Sequence, residues 1–208
     1  MAMESPERQK IKAILPPAKE CTHTLHYCEE NVWLLCQHVQ DKYPQELPYC
    51  YAVFISNQNQ TVPLWRQRAG RTEDRVVIWD YHVIFMYQPD SRCLVYDMDS
   101  ELPFPTYFHK YVTETFRTDQ ILHPEHHRFF RVVPATEFLS TFASDRSHMK
   151  REGGVWASPP PPYPPISTPG GSTNNLQTFI SMDGRVGVGE VLNLSGFVDK
   201  FYRNLVNI

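Results

Sequence analysis

The chain has 208 residues, 41% of them hydrophobic and 21% charged, with a formal net charge of −3. A chain of this length and apolar content makes one domain that buries roughly 70% of the surface its unfolded form exposes, which excludes disorder of the whole chain. With 20 basic residues against 23 acidic ones there is no field to draw in nucleic acid or an anionic bilayer, and no apolar stretch approaches the ~20 residues that span a membrane.

Residues 1–20, MAMESPERQKIKAILPPAKE, mix both signs of charge with prolines and lack apolar periodicity. They are expected to form a flexible arm without the apolar core of a secretory leader, ahead of a single domain over 21–208, and the expected address is cytoplasmic or nuclear. Five cysteines (Cys21, Cys28, Cys36, Cys50 and Cys93) are an odd number at uneven spacing, which reads as reduced thiols rather than a disulfide framework.

From Cys28, CEENVWLLCQHVQDKY places Val32, Leu35, Cys36 and Val39 at spacings of three and four, the stripe of an amphipathic helix, with Glu29 and Glu30 in a first turn that suits acidic residues. Pro44 and Pro48 break the chain before YCYAVFIS, a buried strand, with TVPLWRQ as its expected hairpin partner. Residues 75–88, RVVIWDYHVIFMYQ, are apolar on both alternating faces and predict a strand inside a sheet covered on both sides. Gln88-Pro89-Asp90-Ser91 is a turn leading to a second strand, RCLVYDMD. Helices are expected in PTYFHKYVTETF, in PATEFLSTFAS and in SGFVDKFYRNL, the last capped by Ser195. Between them, residues 146–175 must be loop, with a Pro-rich segment at about 157–171.

Cys28 opens a helix, where unpaired backbone N–H groups and the positive dipole end favour a thiolate. A hairpin folded about Pro89-Asp90 sets His82 directly opposite Asp97, and Asp80 opposite Asp99. His82 and Asp97 intrude on otherwise apolar runs and need partners when buried, which each supplies to the other; a bulge would instead make Asp99 the orienting acid. A thiol, an imidazole and a carboxylate are the parts of nucleophilic acyl transfer, and their order and placement resemble the transglutaminase and papain-like thiol enzymes.

Other chemistries fit less well. Cys21, His23, His26 and Cys28 are all potential zinc ligands, but their spacing matches no common zinc site and would consume the nucleophile. His123, His126 and His127 read as a solvated loop. Pro160-Pro161-Pro162-Tyr163 matches the PPxY pattern of WW-domain ligands, so an adaptor role is the competing function, against which burial of Tyr163 would count.

Longer strings carry a specific resemblance. Tyr27-Cys28-Glu29-Glu30-Asn31, CYAVFISN at 50–57, VIWDYHV at 77–83, LPFP at 102–105, FASDRSHMK at 142–150, PPPPYP at 159–164 and FISMD at 179–183 resemble the N-terminal glutamine amidohydrolase family. The likeness spans nearly the whole chain after residue 20. It implies an α+β fold, a three-layer α-β-α sandwich with a largely antiparallel central sheet, acting as a monomer without cofactor or metal. It also implies conversion of N-terminal glutamine to glutamate with release of ammonia, ahead of arginylation in the N-degron pathway, with nucleophile, base and orienting acid at Cys28, His82 and Asp97. Proteins and peptides with a free N-terminal glutamine are the implied partners. Reading the free α-ammonium takes a carboxylate or a set of carbonyls in the cleft, and Glu29, Asp80 and Asp145 are the candidate residues.

Overall fold

A computed structural model describes residues 11–202 of the chain. The helix expected at Cys28 runs Cys28–Lys42 (α1) and turns Val32, Leu35, Cys36 and Val39 inward. The strands are Cys50–Ser56 (β1), Val62–Leu64 (β2), Val77–Trp79 (β3), His82–Tyr87 (β4), Leu94–Tyr96 (β5), Thr106–Tyr107 (β6), Phe129–Pro134 (β7) and Glu190–Asn193 (β8). The remaining helices are Phe108–Tyr111 (α2), continued by a π-helical turn Val112–Phe116, then Ala135–Thr141 (α3), Leu176–Ile180 (α4) and Leu194–Tyr202 (α5).

Six strands form one sheet in the order β6-β5-β4-β1-β7-β8, with every neighbouring pair antiparallel. Alternation along each strand sends side chains to opposite faces. Ala52, Phe54, Val83, Phe85 and Val133 meet α1, α3 and α4 on one face, while Val53, Ile55, Ile84, Met86, Phe130 and Val132 meet α2, the π turn and α5 on the other. This is the expected α-β-α sandwich. Phe54 packs among Phe138, Phe142 and Phe179 on the first face, and Phe130 stacks on Phe197 at 4.2 Å between ring centroids on the second. β1, β4 and β7 are buried on both sides, which is why their sequences alternate so weakly.

Several expectations are corrected. The second half of the supposed arm is packed: Ile14 is fully buried, with Ile11 and Leu15 against the same core. TVPLWRQ does not pair with β1; β2 pairs with β3 in a separate two-stranded sheet. The Asn57 side chain accounts for this, because it binds the backbone of Asn59 and Thr61 and the distant carbonyls of Glu125 and His127, steering the chain away from a direct reversal. The strand read over 75–88 breaks at Asp80-Tyr81, where the Ser56 hydroxyl donates to the Asp80 carbonyl and the Tyr81 N–H to the Asp80 carboxylate. Helix α5 is capped by Asn193, whose Oδ1 accepts the Gly196 N–H at 2.8 Å, and not by Ser195; residues 203–205 of that predicted helix lie outside the described residues.

The long loop contains short 3-10 turns at Ser147–Met149 and Glu152–Gly154. It is tied down by the Arg146 guanidinium, which pairs with both Glu30 carboxylate oxygens at 2.8 Å and donates to the carbonyls of Pro161, Tyr163 and Pro164. The Tyr163 ring lies under that guanidinium and its hydroxyl is buried, so the PPxY segment is not presented as a ligand for a WW domain.

Candidate active site

The site gathers at one end of the sheet, where the start of β4 adjoins the start of α1. His26, in the left-handed region at φ 68°, turns the chain into α1, and the Asn31 side chain fixes that turn by bonding both backbone groups of Thr24. Cys28 is thereby held in the first turn, with the Val83 backbone N–H donating to its sulfur. The N-cap residue, Tyr27, makes no side-chain cap at the start of α1.

His82 is fully buried and its Nε2 donates to Asp97 Oδ1 at 3.0 Å, leaving Nδ1 without a protein partner. Asp97 is itself buried and collects further donors: the Tyr111 hydroxyl at 2.6 Å, the Asp99 N–H at 3.0 Å and the Gln67 amide at 3.5 Å. Trp79 stacks on the His82 ring at 5.2 Å and 18°. These contacts fix the tautomer and plane of the imidazole.

The charges respond to the burial. Desolvation pushes His82 down, but the Asp97 charge and hydrogen bond outweigh it and hold the imidazole above its ordinary range. Burial pushes Asp97 up, and the His82 and Tyr111 contacts more than offset it, so the carboxyl sits below its ordinary range. Cys28 departs from the expected thiolate: burial first, then the Glu29 and Asp99 carboxylates, push its thiol well up. The resting Cys28 is therefore a neutral thiol.

Cys28 opens onto a cleft of about 480 Å³ whose walls include His26, Trp79, Asp80, Tyr81, Asp99 and His148. Of the three carboxylates named for the substrate ammonium, Asp80 lines this cleft. Glu29 is completely buried behind it, accepting from the Tyr81 hydroxyl at 2.9 Å, 3.7 Å from the Cys28 sulfur and 3.6 Å from His148 Nε2, and burial raises its carboxyl to about 7. Asp145 is exposed elsewhere and binds the Ser147 N–H and the Asn174 amide.

The sequence reading missed the Tyr111 and Gln67 contacts and the cleft positions of Tyr81 and His148. It placed Glu29 and Glu30 in the first turn for the sake of the helix dipole alone, although Glu29 precedes Val32 and Cys36 by three and seven, which is the apolar stripe itself. The four potential zinc ligands at 21–28 do not converge: Cys21 faces the carbonyls of Pro16 and Pro17, and His23 pairs with Asp99 at 3.1 Å.

A helix-start thiol, a buried imidazole and a buried carboxylate on an α+β sandwich are the groups that nucleophilic acyl transfer requires. Residues 23–201 match the family model for N-terminal glutamine amidase, and the chain belongs to that family. It is 58% identical over 194 residues to the protein N-terminal glutamine amidohydrolase of Drosophila mojavensis, covering 92% of this chain and 93% of that one. The protein of the same name in Drosophila melanogaster is 56% identical over 192 residues, with 92% and 93% covered. Among the described residues, no helix is long and apolar enough to cross a membrane.

Proposed function

We propose that this chain deamidates the side chain of N-terminal glutamine on proteins and peptides, with Cys28 as nucleophile, His82 as proton carrier and Asp97 as the acid that orients it. The observations that carry the proposal are the buried Asp97–His82 pair, joined at 3.0 Å, and the helix-start Cys28 in the wall of a cleft, in a chain of the N-terminal glutamine amidase family.

In this reading the Cys28 thiol proton passes to His82 Nδ1 as the sulfur attacks the side-chain carbonyl carbon of glutamine. Backbone N–H groups near residue 28 stabilise the oxyanion. His82 returns the proton to the amide nitrogen, the C–N bond breaks, ammonia leaves, and a thioester remains. Water then gives a proton to His82 and attacks the thioester; glutamate is released and the thiol re-forms. Asp80, with Asp99 on the same wall, takes the α-ammonium. An ammonium there offsets part of the negative field that holds the Cys28 thiol up, so a free N-terminus supports both binding and reactivity. Asparagine, one methylene shorter, leaves its carbonyl carbon short of the sulfur.

The enzyme is read as a cofactor-free monomer of the cytoplasm or nucleus, a setting that suits its five free cysteines. Its product, an N-terminal glutamate, is a substrate for arginylation. The test compares one peptide with free N-terminal glutamine against its acetylated form by mass spectrometry. Conversion of the free peptide alone, lost in Cys28→Ala, supports the reading; conversion of neither overturns it.

A further inference from the structure

Cys28 shares its cleft with two carboxylates, Asp80 and Asp99. In the deamidation reading, once ammonia has left, the substrate's side-chain acyl group sits on the Cys28 sulfur with the α-nitrogen of the same residue close by. As a free amine that nitrogen can attack the acyl carbon and close a five-membered ring: the C–N bond forms, the C–S bond breaks, and the amine's proton passes through His82 to the sulfur. The product is a pyroglutamyl N-terminus in place of glutamate. Well-oriented intramolecular attack reaches effective molarities on the order of 10⁵ M or more, far beyond what bulk water offers. The acyl group therefore cyclises unless the nitrogen is withheld.

Shape does not withhold it. The cleft, at about 480 Å³, lies in the range that admits a drug-sized ligand, and it takes a glutamine residue folded or extended. The withholding falls to charge. Asp99 is already paired, with His23 Nε2 on its Oδ1 at 3.1 Å. Asp80 is exposed and makes no ion pair among the described residues. It is nonetheless fixed in place, because its Oδ1 accepts the Tyr81 N–H at 2.9 Å and its carbonyl accepts the Ser56 hydroxyl at 2.8 Å. A preset carboxylate of this kind meets a cation without an ordering cost.

Resting on the deamidation reading, we propose that Asp80 decides the product: by holding the α-nitrogen as an ammonium, away from the acyl carbon, it suppresses a cyclase activity of the same site, and without it the site releases pyroglutamyl peptides. A free α-amino group ionises at about 7.7–8.0, so near neutrality a substantial fraction is the nucleophilic amine. Contact with a carboxylate favours the charged form, which has no lone pair to attack with. Extension adds distance: bonds of ~1.5 Å set the nitrogen of an extended glutamine roughly 5 Å from its side-chain carbonyl carbon, outside the ~3–3.5 Å of a near-attack geometry. A cyclised end carries no primary amine, so the suppression keeps the product usable by a reaction that acylates the N-terminus.

The experiment follows a peptide with free N-terminal glutamine by mass spectrometry under single turnover, with an excess of wild type, Asp80→Asn or Asp80→Glu. Hydrolysis exchanges NH2 for OH and raises the mass slightly, whereas cyclisation lowers it by one ammonia. Cys28→Ala and Cys28→Ala/Asp80→Asn give the background of ring closure without a thioester. The asparagine keeps an acceptor for the Tyr81 N–H, so the backbone of the wall is preserved. The ratio of cyclised to hydrolysed product should rise roughly tenfold to a hundredfold in Asp80→Asn, the worth of one hydrogen bond to a charged group, and fall back in Asp80→Glu. An unchanged ratio in Asp80→Asn, or loss of both products there while the wild type is active, overturns the role of Asp80 and leaves deamidation in place. Cyclisation that is as fast in Cys28→Ala/Asp80→Asn as in Asp80→Asn needs no thioester and also overturns it. Neither product from the wild type overturns deamidation itself, and the proposal with it.

Discussion

Glu29 is a test of how burial sets charge beside Cys28. Its carboxyl is completely enclosed, with two neutral donors on Oε2, the Tyr81 hydroxyl at 2.9 Å and the Cys28 thiol at 3.7 Å, and no hydrogen bond to Oε1. Burial lifts it from 4.5 to about 7. Because the folded value lies above the ordinary one, the native state retains the proton, and the stabilisation this brings is fully present below about pH 4.5 and lost as pH rises through about 7. At 1.36 kcal/mol per unit, the ionised form weakens the fold by about 3 kcal/mol. Glu29→Gln keeps the shape and the acceptor for Tyr81 but cannot ionise. Among the facing groups, burial pushes Cys28 and Tyr81 up, so both stay neutral across this window, and pushes His148 down, so its charge appears only at lower pH; His82, held up chiefly by Asp97, is common to both proteins. Urea denaturation of both proteins near pH 5 and near pH 9 should show little difference at the lower pH. At the higher pH the variant should be more stable by about 3 kcal/mol, or roughly 6 to 12 °C in Tm for a chain of this size. Removal of the carboxylate should also speed alkylation of Cys28 near pH 8, because one of the charges opposing its thiolate is gone. Equal stabilities at both pH values would refute the assignment of Glu29 as a buried, ionisable strain on the site.

Three further perturbations test the site and the wall around it. Asp97→Asn should keep the fold and lower kcat by a factor on the order of 10⁴, because an amide no longer fixes the His82 tautomer with Nδ1 as the base; steady-state kinetics on a glutamine peptide read this directly. Tyr111→Phe removes one short hydrogen bond to the same carboxylate; at ~1.5–3 kcal/mol for a bond to a charged group it should cost about tenfold or more in kcat with KM unchanged, and a fall in KM alone would argue against a positioning role. Arg146→Met strands Glu30 as an unpaired buried charge and should destabilise the protein by about 3–5 kcal/mol in urea, whereas Arg146→Met/Glu30→Leu should recover most of that loss.

Much of the fold is legible in the residues because the periodicities are strong. Val32, Leu35, Cys36 and Val39 cannot face inward on anything but a helix, and β1 and β4, buried on both faces, require a layer on each side of the sheet. What fails is what a local pattern does not contain. β2 and β3 pair with one another because of hydrogen bonds from Asn57 to residues nearly 70 positions away. Ile14 is buried by a core assembled from distant strands, so an apolar residue among prolines and charges gives no local sign of it.

His82 and Asp97 show which kind of inference survives a wrong intermediate. The hairpin pairs Phe85 with Tyr96 and Met86 with Val95, two residues out of register from the one deduced from the Pro89-Asp90 turn, and by that ladder His82 would face Asp99. The ladder stops at Tyr96, however, and the chain curls so that Asp97 accepts the Asp99 N–H and turns its carboxylate back to His82. Register locates a residue only while the strands remain paired. A polar pair in apolar surroundings is a constraint of energy rather than of position, since leaving either group unpartnered costs more than the bend that unites them. That constraint holds on any backbone that buries both groups, and the same reasoning applied to Glu29 and Glu30, two acids set against an apolar helical stripe, would have called for the Tyr81 and Arg146 contacts that the structure provides.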